Sequence, residues 1–146
     1  MFCLLVETSM SGSSYSITYS KKRKFREARR IKKENNEGHI EYKVKIDADE
    51  GCHRYHKLVT QMLFRLQEGI GKAVYNLGYR DDGNPQGLTF PKIMKSIDIL
   101  HKIAKDLDAV VRSVRIFWAY KNKTRYCANV FITKEYVDHV LIPEFN

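Results

Sequence analysis

The sequence predicts an α+β fold: a mostly antiparallel five-stranded sheet with two helices on one face, preceded by a disordered basic N-terminal tail. Three observations favour it. Two segments repeat apolar residues with the helical period, another alternates apolar and polar residues, and the positive charge is confined to one short block. The predicted element order is β-α-β-β-α-β-β. The 146 residues divide into a flexible basic tail (1–38), an α+β domain (39–134) and a C-terminal extension (135–146).

The tail combines a polar stretch with a basic block. Residues 9–20 are rich in Ser, Tyr and Thr, and residues 21–33 carry nine basic side chains and one acidic one, so this block holds eight of the nine net positive charges. Phe25, Ala28 and Ile31 form a narrow apolar stripe, which supports a helix only after a partner neutralises the block. We therefore expect that removal of residues 1–37 leaves the thermal unfolding of the domain unchanged.

The domain is predicted to begin with a strand and a helix. Residues 40–46 alternate apolar and charged side chains, with Ile40 and Tyr42 among those expected to face inward. From Tyr55 to Leu66 the apolar residues recur on one continuous helical face, and Gly69 stands where a helix C-terminus is expected.

Next come a predicted strand over residues 73–79, a turn over 81–85 and a short strand around Gly87 and Leu88. The Asp-Gly pair in the turn favours a hairpin. Thr89 can cap a second helix, with Pro91 in its first turn and apolar residues at helical spacing to Leu107.

Two final strands, over 110–119 and 125–132, are joined through residues 121–123. Each predicted helix has one apolar stripe, so both are expected on one face of the sheet.

Phosphate-loop chemistry is not supported. Gly69, Gly71 and Lys72 are reminiscent of such a loop, but Leu66 and Ala73 replace its first glycine and its hydroxyl residue. A helix end followed by a strand explains these glycines.

Other catalytic and metal chemistry also lacks a pattern. Asp81 and Asp82 are adjacent in a predicted turn, where turn chemistry explains them better than acid–base work. Cys52, His53 and His56 have no fourth ligand at zinc-site spacing. We predict no catalytic residue, no metal ligand, no cofactor and no enzymatic activity. The longest apolar runs are too short for a membrane span, so no membrane partner is expected.

The basic block is the predicted site. Eight net charges in a short segment favour salt-sensitive binding to RNA phosphates, with a nuclear import signal and a solvated spacer as alternatives. The predicted RNA-binding residues are Lys21, Lys22, Arg23, Lys24, Arg26, Arg29, Arg30, Lys32 and Lys33.

The final strand pair adds basic and aromatic residues on which bases can stack. Core packing is favoured over stacking for many of them, because alternation sends half of the side chains inward. The residues are Arg112, Arg115, Phe117, Trp118, Tyr120, Lys121, Lys123, Arg125 and Tyr126.

A family resemblance spans residues 37–134. The segments EGHIEYKVK (37–45), HKLVTQM (56–62) and RLQEGxGxAxY (65–75), followed by Gly78, Asp81-Asp82-Gly83 and Gly87-Leu88, resemble the part that precedes the GTPase domain in the elongation-factor-like GTPases called GTP-binding proteins one and two. The similarity continues through Ser96, Leu100 and Ala104.

The resemblance implies a translation-linked role, in ribosome surveillance or RNA turnover. No family residue that holds GTP or Mg²⁺ occurs here, so none is carried over. We therefore expect a non-catalytic module whose partners are RNA or the ribosome, or a translation GTPase or RNA-turnover protein. A cytoplasmic location is expected, with a nuclear one as the alternative if the basic block is an import signal. Alternative functions are a piece of a GTP-binding translation factor and a freestanding ferredoxin-like RNA-binding domain.

Overall fold

The computed structural model describes residues 3–11, 14–23 and 26–135 of the chain. The described residues contain two helices and six strands in the order β1, β2, β3, α1, β4, α2, β5, β6. The strands are β1 (Cys3–Ser11), β2 (Ser14–Arg23), β3 (Ile40–Lys43), β4 (Lys72–Leu77), β5 (Val110–Ala119) and β6 (Asn122–Thr133). The helices are α1 (His53–Glu68) and α2 (Phe90–Asp106).

Residues 40–133 form the body of the α+β fold, with a four-stranded mixed sheet. The order of all six strands is β2-β1-β5-β6-β4-β3, so β1 and β2 extend the body's sheet at its β5 edge. Strands β3 and β4 pair in parallel and are joined by α1, whereas β4, β5 and β6 pair antiparallel. The prediction of five mostly antiparallel strands was therefore wrong, because a helix between two adjacent strands is the usual parallel connection.

The expected strand around Gly87 is absent from the described residues. Leu88 makes a single bridge to Tyr126, and the rest of residues 78–89 forms a loop. The Gly87 N–H donates to the Gly78 carbonyl oxygen at 2.8 Å, which closes this loop on itself. Without that strand the body order is β-α-β-α-β-β, which differs from the ferredoxin-like order and removes the fold argument for that alternative.

Both helices lie close to their predicted positions. At the end of α1 the N–H of Gly69 donates to the Arg65 carbonyl oxygen at 3.0 Å, and the N–H of Ile70 donates to the Gln67 carbonyl oxygen at 3.2 Å. A Cβ at Gly69 would lie 1.8 Å from the Lys72 carbonyl oxygen, so only glycine fits this close turn. Thr89 stands at the N-cap of α2 with Pro91 in the first turn, but its side chain makes no capping hydrogen bond. The predicted helix limits are thus confirmed at these two ends.

Both helices pack their apolar stripes against the same face of the sheet, as predicted. The largest fully buried side chains of this main core are Ile46, Met62, Leu66, Tyr75, Leu77, Ile93, Ile97, Leu100, Ile103, Ile116 and Ile132.

The other face of the sheet is partly covered by residues 26–34, which we call the strap. Its backbone N–H groups donate to the body: Ala28 to the Trp118 oxygen at 2.6 Å, Ile31 to Gly83 at 3.0 Å and Glu34 to Asp81 at 2.7 Å. Ala28 is 3% exposed. The buried cluster beneath the strap consists of Ala28, Tyr42, Tyr79, Ala119 and Cys127, with Ile31 and Phe117 packed against it.

The strap corrects the tail prediction. Residues 26–34 are extended and bonded to the body rather than free, and residues 3–11 and 14–23 have strand backbone at the edge of the same sheet. Unchanged unfolding after removal of residues 1–37 is no longer expected, because that removal would uncover the cluster under the strap. The boundaries at residues 38 and 134 stay predictions, and residues 24–25 and 136–146 lie outside the described residues.

Strand β3 departs from the predicted alternation. Ile40 is 38% exposed, whereas Glu41 is 2% exposed. Glu41 lies opposite Tyr75 of β4, and its Oε2 accepts a hydrogen bond from Arg65 Nε of α1 at 3.0 Å. The helix-facing position of this strand therefore holds a carboxylate, because α1 supplies a buried guanidinium above it.

Candidate nucleic-acid interface

The predicted RNA-binding residues fall on two elements. Lys21, Lys22 and Arg23 end β2, and their side chains, like the whole of Lys24, lie outside the part of the chain that is described. The other five side chains are exposed on the strap: Arg26, Arg29, Arg30, Lys32 and Lys33. The C-terminal part of the basic block, residues 26–33, therefore lies on a segment whose backbone is bonded to the body.

Every third residue of the strap faces the body, and this spacing explains which side chains are outside. Ala28 and Ile31 turn toward the body, and the basic residues between and after them turn to solvent. Tyr42 fixes the end of the strap, since its hydroxyl donates to the Lys32 carbonyl oxygen and its N–H donates to Glu34 Oε2 at 2.6 Å. Because these contacts already hold the strap backbone, a ligand that binds the described cations would cost little further backbone entropy.

The turn between β5 and β6 is the second part of the surface. Ala119 pairs with Asn122, which leaves Tyr120 and Lys121 as the two turn residues. Lys121 has φ 56°, an unusual backbone angle for a residue with a side chain. Its Nζ lies 5.1 Å from the Tyr120 ring centroid, and Lys123 Nζ lies 5.1 Å from the Trp118 ring. Tyr120 is 53% exposed.

The strap, this turn and the loop that follows β4 line an open cavity of about 670 Å³. We define the strap–turn surface as the cavity lining together with the two lysines of the turn region. Its members are Glu27, Arg29, Arg30, Asn84, Pro85, Tyr120, Lys121 and Lys123. The basic strap and the basic and aromatic β5–β6 turn, which are far apart in the sequence, therefore meet at one place.

Three of the remaining basic and aromatic residues of the final strands have structural contacts. Arg125 Nη1 donates to the Gly87 carbonyl oxygen at 2.9 Å, and Arg112 Nε donates to Thr133 Oγ1 at 2.8 Å. Tyr126 stacks edge-on against Phe90, with 5.3 Å between ring centroids. The expectation that many of these side chains contact the protein itself rather than bases is confirmed for Arg125 and Tyr126.

A second cationic cavity, of about 460 Å³, lies between β3 and the first turns of α1. Its lining consists of Lys43, His53, Arg54, Lys57, Leu58 and Gln61. This cavity resembles the strap–turn surface in charge and differs in its lining, which makes it a useful internal comparison.

A buried ionic cluster anchors the strap. Arg65 is 3% exposed, and its guanidinium bonds Glu41 and lies 3.9 Å from Glu34 Oε2. Arg65 Nη1 also donates to the carbonyl oxygens of residues 37 and 38 at 3.1 and 3.0 Å. Burial raises the pKa of the Glu41 carboxyl, the Glu34 charge raises it further, and Arg65 opposes both. The cluster links α1, β3 and the end of the strap.

Several residues considered as candidates for catalysis or metal binding have structural roles. Cys52 Sγ accepts from the Tyr55 N–H at 3.4 Å and caps α1. Asp82 Oδ1 accepts from the Asn84 N–H at 2.9 Å, as turn chemistry predicts. Burial raises the pKa of the Cys127 thiol to about 12, so it stays neutral. Within the described ranges, no three His, Cys, Asp or Glu side chains are grouped as metal ligands, and no helix there is long and apolar enough to cross a membrane.

Sequence reasoning missed Glu27, Asn84 and Pro85 as parts of the surface. They come from the strap and the loop after β4, and no local pattern connects them with Tyr120. The stripe of Ala28 and Ile31 was a usable signal, because it indicated that one side of the basic block has an apolar partner.

Comparison with known proteins gives two findings of similarity. The chain is 40% identical to GTP-binding protein 2 of mouse and of human over 82 residues, which is 56% of this chain and 14% of each relative. It is 34% identical to an uncharacterized protein of Acanthamoeba polyphaga mimivirus over 82 residues, which is 44% of that protein. No family model matches the chain, and no solved structure matches it.

The matched residues thus correspond to about one seventh of the length of the mammalian relatives. A match of this extent relates the chain to one segment of a GTP-binding protein and leaves most of that protein's length unmatched. The resemblance drawn from the residues is confirmed: a large part of this chain is similar to a segment of GTP-binding protein 2.

Proposed function

We propose that this chain is a non-catalytic RNA-binding module, related to a segment of GTP-binding protein 2, that binds RNA phosphates at the strap–turn surface. One observation carries the proposal: Arg29 and Arg30 of the basic block line the same cavity as Tyr120 of the β5–β6 turn. Cations beside an exposed ring are the usual components of a surface that binds nucleic acid.

Charge supports the choice of a polyanionic ligand. The five strap cations are exposed, and Lys121 and Lys123 add two more exposed charges nearby, against the single carboxylate of Glu27 in the cavity lining. Binding to phosphates would release counterions from the RNA, so the affinity would fall steeply as salt rises and depend little on sequence.

The biological part of the proposal rests on the resemblance to the elongation-factor-like GTPases. It assigns the module to the cytoplasm, to translation or to ribosome and RNA surveillance. The RNA would be ribosomal or ribosome-bound, and a translation GTPase or an RNA-turnover protein would be the protein partner.

Paired charge variants test the surface. Arg29→Gln with Arg30→Gln removes two charges from the cavity, and Arg54→Gln with Lys57→Gln removes two charges from the cavity beside α1. Fluorescence anisotropy with a labelled RNA at low salt measures both. We expect the first pair to weaken binding about tenfold or more and the second to weaken it less than threefold. Equal losses would contradict the assignment to the strap–turn surface.

A second candidate function follows from the comparisons. The similarity over 82 residues favours a chain that serves as one part of a GTP-binding translation factor. Fluorescent guanine nucleotide titrated into the full chain tests whether this part of such a factor holds nucleotide by itself. The non-catalytic module predicts no saturable binding, because the sequence contains no recognised ligand for GTP or Mg²⁺. A saturable signal would refute the non-catalytic module.

A further inference from the structure

We propose that the cavity of the strap–turn surface takes an unpaired nucleotide of single-stranded RNA, with its base stacked on Tyr120. This inference rests on the proposed function and adds the class of RNA. Three features support it: the exposed ring of Tyr120, the chemistry of the cavity lining and the different lining of the second cationic cavity.

The Tyr120 ring is exposed and is not part of the hydrophobic core. Its neighbour Ala119 is 1% exposed and belongs to the cluster beneath the strap, whereas Tyr120 itself is 53% exposed. A two-residue turn holds its backbone, so the ring is offered from a constrained position. Removing such a ring from water against a base is favourable for any base, because every base has an apolar π-face.

The lining separates a place for a base from places for phosphates. Arg29, Arg30 and Lys121 supply positive charge near the ring. Glu27 and Asn84 also line the cavity. A carboxylate repels phosphate but accepts hydrogen bonds from the amino groups of bases, and an amide both donates and accepts. A nucleotide with its base toward Glu27 and Asn84 and its phosphates toward the arginines satisfies both sets of groups.

The shape of the site disfavours a duplex. In an RNA duplex the bases are stacked on one another and the outer surface consists of phosphates and ribose, so the Tyr120 ring cannot stack on a base face there. The cavity of about 670 Å³ accommodates a single splayed-out nucleotide. The cavity beside α1 supplies cations with Leu58 and Gln61 instead of a ring and a carboxylate, so it offers no aromatic face on which a base can stack.

The test compares single-stranded and duplex RNA on the full chain. The probes are a fluorescein-labelled unstructured RNA and the same strand annealed to its complement, both titrated at low salt. We expect Tyr120→Ala to weaken single-strand binding about tenfold and duplex binding less than twofold, since one base–aromatic stack is lost. Tyr120→Phe keeps the ring and is expected to retain the wild-type affinity.

A matched control and a fold check keep the result interpretable. Phe64 is an exposed aromatic residue of α1, 40% exposed, and Phe64→Ala is expected to change neither affinity. The thermal midpoint of Tyr120→Ala shows whether the fold is kept. If Tyr120→Ala does not fold, Tyr120→Lys replaces it in the test. This variant keeps a long side chain and adds a charge, and it is expected to lose the preference for single-stranded RNA.

The outcomes separate the inference from the proposed function. Wild-type chain that binds neither probe would overturn the proposed function. Wild-type chain that binds both probes equally, with Tyr120→Ala unchanged, would overturn the inference and leave the phosphate-binding surface in place. A tenfold loss confined to the single strand supports both.

Discussion

Arg65 is the residue on which several elements depend. It is buried on α1, it bonds the buried carboxylate of Glu41 on β3, and it lies near Glu34 at the end of the strap. A buried charge is tolerated only when hydrogen bonds and an opposite charge surround it. Arg65 meets this condition with two carboxylates and two carbonyl oxygens.

Arg65→Leu is expected to destabilise the fold by about 3–5 kcal/mol at neutral pH, because it leaves the Glu41 charge buried without its partner. Urea unfolding followed by circular dichroism measures the free energy of unfolding. The pKa of Glu41 is already raised, so the loss should shrink in acid, where this carboxyl becomes neutral. Arg54→Leu, at an exposed position of the same helix, should change stability by less than about 0.5 kcal/mol. Similar losses in both variants would show that Arg65 has no special role.

His101 gives the fold a predicted pH dependence. It lies on α2, is 5% exposed, and burial lowers its pKa from 6.5 to about 4, with the nearby Asp98 charge opposing the shift. Below pH 6.5 the unfolded chain binds a proton that the folded chain does not bind until about pH 4. Stability contributed by the neutral imidazole is therefore present above pH 6.5 and is lost as the pH falls toward 4.

The expected loss is about 3 kcal/mol at most, since one pKa unit corresponds to about 1.4 kcal/mol. Urea unfolding at a series of pH values measures it. His101→Gln removes the titrating group and should flatten the curve between pH 6.5 and 4 relative to the wild type. Parallel curves for the two proteins would refute this role of His101.

At the scale of elements, the strap shows how a charged segment becomes part of a sheet fold. Ala28 and Ile31 are its inward residues, and its backbone bonds reach both β5 and the loop after β4. The high charge favoured a free tail because charged side chains oppose burial. Burying one small side chain and several backbone N–H groups leaves all five described cations in solvent, so the charge does not prevent docking.

Ala28→Asp tests the docking of the strap. A carboxylate placed in the cluster beneath the strap would be buried without an opposite charge beside it. We expect the free energy of unfolding to fall by about 2–4 kcal/mol, or the strap to be released. The thermal midpoint and amide exchange at Trp118, whose N–H donates to the Arg26 oxygen, report the two results. Asn35→Asp adds the same charge at an exposed position of the following segment and should leave both unchanged. Full protection at Trp118 in Ala28→Asp would contradict the packing of the strap.

At the scale of the whole molecule, the net charge of +9 is concentrated in residues 21–33, which overlap the strap, rather than spread evenly along the sequence. If Arg29, Arg30, Lys121 and Lys123 all contact phosphates, log K should fall against log salt with a slope of about −3 for single-stranded RNA. That is about a fiftyfold loss of affinity between 50 and 200 mM salt. Anisotropy titrations at several salt concentrations measure the slope, and Arg29→Gln with Arg30→Gln should reduce it by about half. A slope near zero would show that phosphate contacts do not dominate.

Some of this fold follows from local sequence. The helices were predictable because a 3.6-residue repeat of apolar side chains has only one packing solution, and Gly69 marks the end of α1 through a contact that no other residue allows. The strands β5 and β6 were predictable within a few residues for the same local reason. The candidate site was half predictable: the sequence indicated the cations of the strap and the ring of Tyr120 as separate features.

By itself, the sequence determined the helix faces, the start of α2 and the end of α1, the location of the charge and the resemblance to a GTP-binding protein, since each depends on residues close together in the chain. The tertiary structure decided the parallel pairing of β3 with β4, the burial of Glu41 against Arg65 and the meeting of the strap with the β5–β6 turn. These features join residues far apart in the chain. Their stability depends on which partner covers a surface or compensates a charge, and periodicity contains no information about that choice.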